Sequence, residues 1–310
     1  MPIRWDSKIL LAKIEASYGT DPTPTGAANA MLVTNVEFKP MEGQDISREL
    51  DLPWLAAQAT IPAGLHSQIS FRVELVGSGT PGTAPAWGPL LRACAVAQTV
   101  SAGVSVIYNP VSEGHESVTL HFWVGGTRYV MIGARGTGLM RFNAQGIPYV
   151  EMTLWGLFSM PSEQARPTPT LTAFQKPVLV TKANTPTFTI GGTALVMRNF
   201  SLDLGNRLMQ RLLVGAEYIW IENRAEKIAA TVEAVPLSTY DPYAVAASQG
   251  TQAVSLVHGT VAGKIATLGI STAQMQRPSG LVDAQSVTEW PLGMIPLPVA
   301  GNDQWTLTLT

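Results

Sequence analysis

The chain has 310 residues, of which 46% are hydrophobic and 14% charged. Charged residues usually supply ~25% of a soluble protein, so this composition excludes a charge-rich disordered chain. A balance of 20 Lys and Arg against 22 Asp and Glu leaves a net charge of −2, which excludes a whole-protein basic field for gripping nucleic acid.

The predicted elements are mostly strands. Ile69, Phe71, Val73 and Leu75 alternate with Ser70, Arg72 and Glu74, and period two puts one face on a core and the other toward water or a partner. Residues 86–97 place Trp87, Leu90, Leu91, Cys94 and Ala97 at helical spacing, with Pro89 suited to a first turn. They read as a short amphipathic helix over a sheet. Val118, Leu120, Phe122 and Val124 alternate with Ser117, Thr119 and His121, which reads as a strand with His121 facing outward. The stretch 159–186, with Pro161, Pro167, Pro169, Pro177 and Pro186, reads as an extended linker. A second short helix is expected at 240–248, capped by Asp241 with Pro242 in its first turn. The chain ends on a strand in which Trp305, Leu307 and Leu309 alternate with threonines.

The two sides of the linker resemble each other. Asn35-Val36-Glu37-Phe38 pairs with Asn199-Phe200-Ser201-Leu202, Val73-Glu74 with Val232-Glu233, Val118-Thr119-Leu120 with Val254-Ser255-Leu256, and Met152-Thr153-Leu154 with Leu307-Thr308-Leu309. The order is preserved while the offset drifts, as insertions would make it. The expected organisation is a first domain at 1–158, the linker at 159–186 and a second domain at 187–310.

Each half contains a long connection between its first two strands, from about Pro40 to His66 and from about 205 to 226. Long loops in compact domains are usually functional. Mixed charge around a tryptophan suits an interface rim with an aromatic anchor. The candidate inter-subunit residues are Glu42, Asp45, Arg48, Asp51 and Trp54 in the first arm. In the second they are Arg207, Arg211, Glu217 and Trp220. The alternative is a surface excursion with a local helical turn.

No motif in the sequence points to a catalytic or metal site. Cys94 is the single cysteine, which excludes an internal disulfide framework and multi-cysteine zinc sites. Its place on the apolar helix face reads as a small buried hydrophobe. His115 and His121 are six residues apart on a strand, whereas HExxH needs four on a helix. Gly259-Thr260-Val261-Ala262-Gly263-Lys264-Ile265 is one residue short of a phosphate loop and lacks its Ser or Thr, so it reads as a hairpin turn. Gly133-Ala134-Arg135-Gly136-Thr137-Gly138 reads as a glycine bend, because no helix pattern or acidic residue follows it at the right distance. The N-terminus carries no apolar signal core, and no stretch approaches the ~18 apolar residues of a membrane helix. A non-enzymatic protein without cofactors, metal or membrane contact is expected.

The segment Lys8-Ile9-Leu10-Leu11-Ala12-Lys13-Ile14-Glu15-Ala16-Ser17-Tyr18-Gly19-Thr20-Asp21-Pro22-Thr23-Pro24 resembles the opening of siphophage tail tube proteins. There a strand reading k-i-E-x-x-Y-G-T leads into a Pro/Thr/Ala stretch. The resemblance implies two tandem tail-tube-like β-sandwich or barrel domains, each with a long arm, the first with a flanking helix. It also implies a major tail tube subunit, a virion protein assembled in the host cytoplasm. Its partners would be further copies of itself, in trimeric pseudo-sixfold rings (alternatively homohexamers) stacked into a tube. The tape measure, tail terminator and tail-tip proteins would join them, and DNA would pass through the lumen without specific binding. The competing reading, motivated by eight tryptophans, is a tail accessory or adhesin-like β-sandwich module that binds host-surface glycans.

Overall fold

Strands hold 51% of the residues and helices 5%, so the fold is mainly β. The computed structural model describes residues 2–310. The first half holds β1 (Lys8–Ile14), α1 (Gly26–Asn29), β2 (Ala30–Met31), β3 (Thr34–Ser47), β4 (Thr60–Glu74) and α2 (Gly88–Arg92). It continues with β5 (Val96–Ser101), β6 (Ser105–Pro110), β7 (Val118–Val124), β8 (Thr127–Asn143), β9 (Tyr149–Phe158) and β10 (Ser162–Glu163). The second half holds β11 (Thr187–Ile190), β12 (Thr193–Ala194), β13 (Met197–Asp203), β14 (Asn206–Leu213), β15 (Ala216–Arg224), β16 (Lys227–Glu233) and α3 (Pro242–Ala247). Then come β17 (Thr251–His258), β18 (Ala266–Met275), β19 (Val282–Ala284), β20 (Val287–Pro296) and β21 (Thr306–Leu309).

Alternation decides which strands have one buried face. In β4, Ile69, Phe71 and Val73 are buried while Ser70, Arg72 and Glu74 stay half-exposed. β21 follows the same rule, with Leu307 and Leu309 buried. β7 departs from it: Thr119 and His121 are as buried as Leu120 and Phe122. The segment after β1 covers that polar side, with Glu15 accepting from Thr119 and Asp21 facing His121, so the expectation that His121 faces outward is corrected. Its Nε2 lies 2.8 Å from an oxygen of Asp21.

Both helices form near the expected places. α2 is shorter than the 86–97 pattern because the chain turns at Ala95, whose φ is +56°, and enters β5 at Val96. α3 begins as expected, with Asp241 accepting from the amides of Tyr243 and Ala244. The expected glycine bend lies inside the single long strand β8. A bulge between Ile132 and Arg135 and a φ of +60° at Gly133 redirect that strand. β8 can therefore pair with β7 at its start and with β9 further on.

The pairing order is the same in both halves. It runs β2-β1-β7-β8-β9-β4-β3 in the first and β12-β11-β17-β18-β20-β16-β13 in the second, antiparallel throughout. Val118–Leu120 and Val254–Leu256 occupy matching positions, as do Val73 and Val232. Phe38 and Leu202 also match, since each faces a matching isoleucine, Ile69 or Ile228. The fourth matched pair in the sequence does not hold: β9 corresponds in pairing to β20, and β21 lies elsewhere, between β18 and β6. Threonine-leucine alternation is generic enough to have matched the wrong strand.

The halves are not separate sheets. β13 joins β8 through Asn199 to Asn143, Phe200 to Phe142, Ser201 to Arg141, Leu202 to Met140 and Asp203 to Leu139. One continuous cluster of buried apolar residues runs from Leu10 to Leu309. The 159–186 segment is largely extended and runs along the first half. Val180 is buried and exchanges backbone hydrogen bonds with Gln145 and Gly146. The Gly259–Ile265 loop is a turn whose Gly263 lies against the first half. A Cβ on Gly77 would sit 2.2 Å from the Gly263 carbonyl oxygen, so only glycine permits that crossing.

Candidate functional site: hairpin arms and open edges

Both long connections are β-hairpins rather than structureless loops, and neither carries a helical turn. A surface excursion of this length must pair its own amides and carbonyls, and a ladder does so at every residue. In the first arm, Gln44 faces Ala63, Asp45 faces Pro62, Ile46 faces Ile61 and Ser47 faces Thr60. The second arm is β14 paired with β15 as its own two-stranded sheet.

The first arm projects into solvent. Glu42 pairs loosely with Lys39 at 3.7 Å near its base. Asp45, Arg48 and Asp51 are exposed along its distal part. The tip displays Leu50, Leu52, Trp54 and Leu55, with Trp54 at 65% exposure. Exposed apolar groups grouped in this way mark an interaction surface more often than a solvated one.

The second arm folds back on the first half of its own chain. Arg207 bonds Glu222 across the hairpin at 3.0 Å, and the Arg211 guanidinium lies 6.0 Å from the Tyr218 ring. Glu217 is exposed opposite Leu212. Trp220 is 42% exposed, with its ring 6.3 Å from that of His115. Trp220 thus lies against its own chain, and the nine expected arm residues are not brought together in one place.

The contacts that dock the second arm involve residues outside that candidate set. The Asn206 amide donates to the carbonyls of Cys94 at 2.6 Å and Gly136 at 2.9 Å. The Arg224 guanidinium donates to the carbonyl of Ala95 at 2.6 Å. The Arg135 guanidinium donates to the carbonyls of Ile219 at 2.9 Å and His115 at 2.7 Å. Burial lowers the pKa of both arginines from their ordinary value. Because each meets several fixed acceptors, burial leaves few orphaned donors on either.

The Glu15-Ala16-Ser17-Tyr18-Gly19 motif lies beneath this interface. The buried Glu15 carboxylate accepts from the amides of Gly19 and Gly133 and from the hydroxyls of Ser117 and Thr119, at 2.5–2.8 Å. The Tyr18 hydroxyl donates to the Gly133 carbonyl at 2.9 Å and accepts from the Ile219 amide at 2.7 Å. Burial raises its pKa, against the opposing effects of the Ile219 bond and the Arg135 charge. Arg135 sits over the Tyr18 ring at 4.8 Å. The k-i-E-x-x-Y-G-T spacing was the available signal for this network, and its reach to Ile219 was not readable from it.

Cys94 is fully buried and burial pushes its thiol up to about 12, which removes it as a nucleophile at neutral pH. Among the described residues, no group of three or more His, Cys, Asp and Glu is placed to hold a metal ion. No helix among them is long and apolar enough to cross a membrane.

Four strands of each half form one strip: β3-β4-β9-β8 continues through the β8–β13 junction into β13-β16-β20-β19. The outer strands β3 and β19 each have a single partner, so the strip has an open edge at both ends. Away from the core, Glu151 lies between Arg72 at 3.5 Å and Arg141 at 3.7 Å, which interleaves charge of both signs on that face. Compared with known proteins, the chain matches no family model and no curated protein.

Proposed function

We propose that this chain is the structural subunit of a long non-contractile phage tail tube, assembling into stacked rings around a DNA-conducting channel. The reading rests on one observation above all: an eight-stranded strip built from two sets of four strands in the same order, open at both ends. We read the two sets as tandem tail-tube-like domains. A repeated unit whose ends stay open adds copies head to tail, and such contacts close into a ring when the rotation divides a full turn. Three chains then supply six strand sets in a pseudo-sixfold ring. An open edge in an isolated chain is a liability for nonspecific pairing, which ring closure removes.

The remaining features support the same reading. The first arm carries its apolar tip beyond the sheet, where it can reach a neighbouring ring. The interleaved charges around Glu151 suit a lumen wall. Duplex DNA carries one charge per ~1.7 Å, and a basic wall would hold it rather than let it slide. Tape measure, terminator and tip proteins would meet this tube at its core and ends.

Negative-stain microscopy of the purified protein tests the reading. Rings with three repeats, stacking into hollow tubes at high concentration or with a tail initiator, are expected. Persistent monomers under all these conditions would overturn it.

A further inference from the structure

The junction inside the chain is a template for a junction between chains. From Glu37 to Lys39, β3 stands to β4 as β13 stands to β16: Phe38 faces Ile69 as Leu202 faces Ile228, and Glu37 faces Ser70 as Ser201 faces Ala229. At the other end, Val282 faces Glu289 as Arg141 faces Tyr149. The stretch 280–284 therefore occupies the place of 139–143, the part of β8 that receives β13. In one strip both receiving and entering strands are paired with each other, while their counterparts β3 and 280–284 are unpaired on the outside.

We infer that β3 of one copy adds antiparallel to residues 280–284 of the next, in the register copied from the internal junction. Lys39 then faces Gly280, Phe38 faces Leu281 and Glu37 faces Val282, and the copied ladder ends there because β3 bulges between Thr34 and Glu37. This inference rests on the ring reading above and specifies the seam by which that ring would close. Leu281 is 63% exposed in the isolated chain, at the position where the internal junction buries Met140 against Leu202. Phe38 is half-buried and already packed edge-on to Phe122 and Tyr129 at 5.2 Å, so it presents a fixed apolar surface to cover Leu281. The strand directions also agree. The strip has an even number of antiparallel strands, so the next β3 runs opposite to β19.

The two junctions differ in strength. The internal one packs Phe142 near Phe200, ring centroids 6.4 Å apart, within the core. At the external one Asp283 stands in the place of Phe142, and β3 bulges between Thr34 and Glu37 where β13 stays paired at Phe200. Pro278 and Gly280 interrupt the strand that β8 continues unbroken, which shortens the ladder. A ring of three chains then alternates three strong internal junctions with three weak external ones, and opens at the external ones first.

A cysteine pair tests this. Glu37 and Val282 stand at opposite ends of the strip, roughly 30 Å apart at ~4.8 Å per strand, so they cannot bridge within one chain. Directly opposed in a seam, they come within disulfide range. E37C/V282C is expected to give a covalent trimer on a non-reducing gel after mild oxidation. Each single variant is expected to stay monomeric on that gel, and the diagonal pair E37C/A284C to bridge far more slowly. Preferred bridging of the diagonal pair would overturn the register. Rings visible by microscopy with no bridge in E37C/V282C would overturn the seam while leaving the ring reading intact. Absence of rings in the unmodified protein would overturn the ring reading and the seam together.

Discussion

The Tyr18 hydroxyl accepts a hydrogen bond at 2.7 Å from the amide of Ile219, 201 residues further along the chain. The same hydroxyl donates to Gly133 in β8. One phenol therefore ties the opening motif, the bend of β8 and the second hairpin arm together. Tyr18→Phe keeps the ring beneath Arg135 and removes only these two bonds. It leaves the buried Ile219 amide without a partner, which costs about 1–3 kcal/mol. Hydrogen exchange should show the Ile219 amide losing protection while the arm stays docked, because Arg135 still holds the Ile219 carbonyl. Unchanged exchange at Ile219 would show that this bond contributes nothing to docking.

Glu15 is expected to be the more sensitive position. Its carboxylate is an acceptor on both oxygens and meets four donors. Glu15→Gln preserves shape but turns one acceptor into a donor that faces amides and hydroxyls. Hydrogen bonds to a charged group contribute about 1.5–3 kcal/mol each, and losing two should destabilise the fold by about 3 kcal/mol or more. Urea unfolding should show a lowered midpoint with an unchanged slope. A midpoint within error of the unmodified protein would mean that the donors find other partners.

How much of this was legible in the sequence follows from the range of each interaction. Ile69, Phe71 and Val73 announced their strand because alternation is local. Asp241 announced its helix because a cap reaches only two or three residues. The two long connections read as loops in the sequence and fold as hairpins, because the pattern around Ile46 and Ile61 alternates too weakly to announce a ladder exposed on both faces. Period-two alternation assigns polar residues to water, which points His121 outward. Here Asp21, 100 residues away in the chain, covers it. The docking residues Asn206, Arg224 and Arg135 act on backbone carbonyls of distant segments, and a carbonyl leaves no trace in the sequence. The internal junction was half legible: repeated motifs located the matching strands, yet nothing in them indicated that β13 would pair with β8.

The histidines give the protein a defined response to acid. Burial lowers the pKa of His115, His121 and His258 below the ordinary 6.5, against the favourable contact of His121 with Asp21. As pH falls through 6.5 the unfolded chain takes up protons first, while the folded chain holds these rings neutral. Stability from the three sites is therefore complete above 6.5 and falls progressively below it. Melting temperature should drop between pH 7.5 and pH 5. The triple variant H115Q/H121Q/H258Q should flatten that drop, and an equally steep fall in the variant would assign the acid sensitivity to carboxylates instead.

The first arm offers the cleanest separation of folding from assembly. Residues 44–47 and 60–62 are exposed on both sides of the hairpin and pack on no part of their own chain's core. Replacing residues 42–64 by a short Gly-Ser turn leaves the β3–β4 ladder intact from Thr34 and Arg72 to Lys39 and Gln68. Surface changes away from core, caps and buried networks usually stay within ±0.5 kcal/mol, so the melting temperature should hardly move. The open edges at Phe38 and Leu281 are untouched, so rings should still close. The exposed apolar tip with Trp54 and Leu55 would be gone, and with it the stacking contact proposed for it. If the chain assembles as proposed, sedimentation and negative-stain images should then show single rings from the variant and tubes from the unmodified protein. Tubes of normal length from the deletion variant would place the stacking contact elsewhere on the subunit.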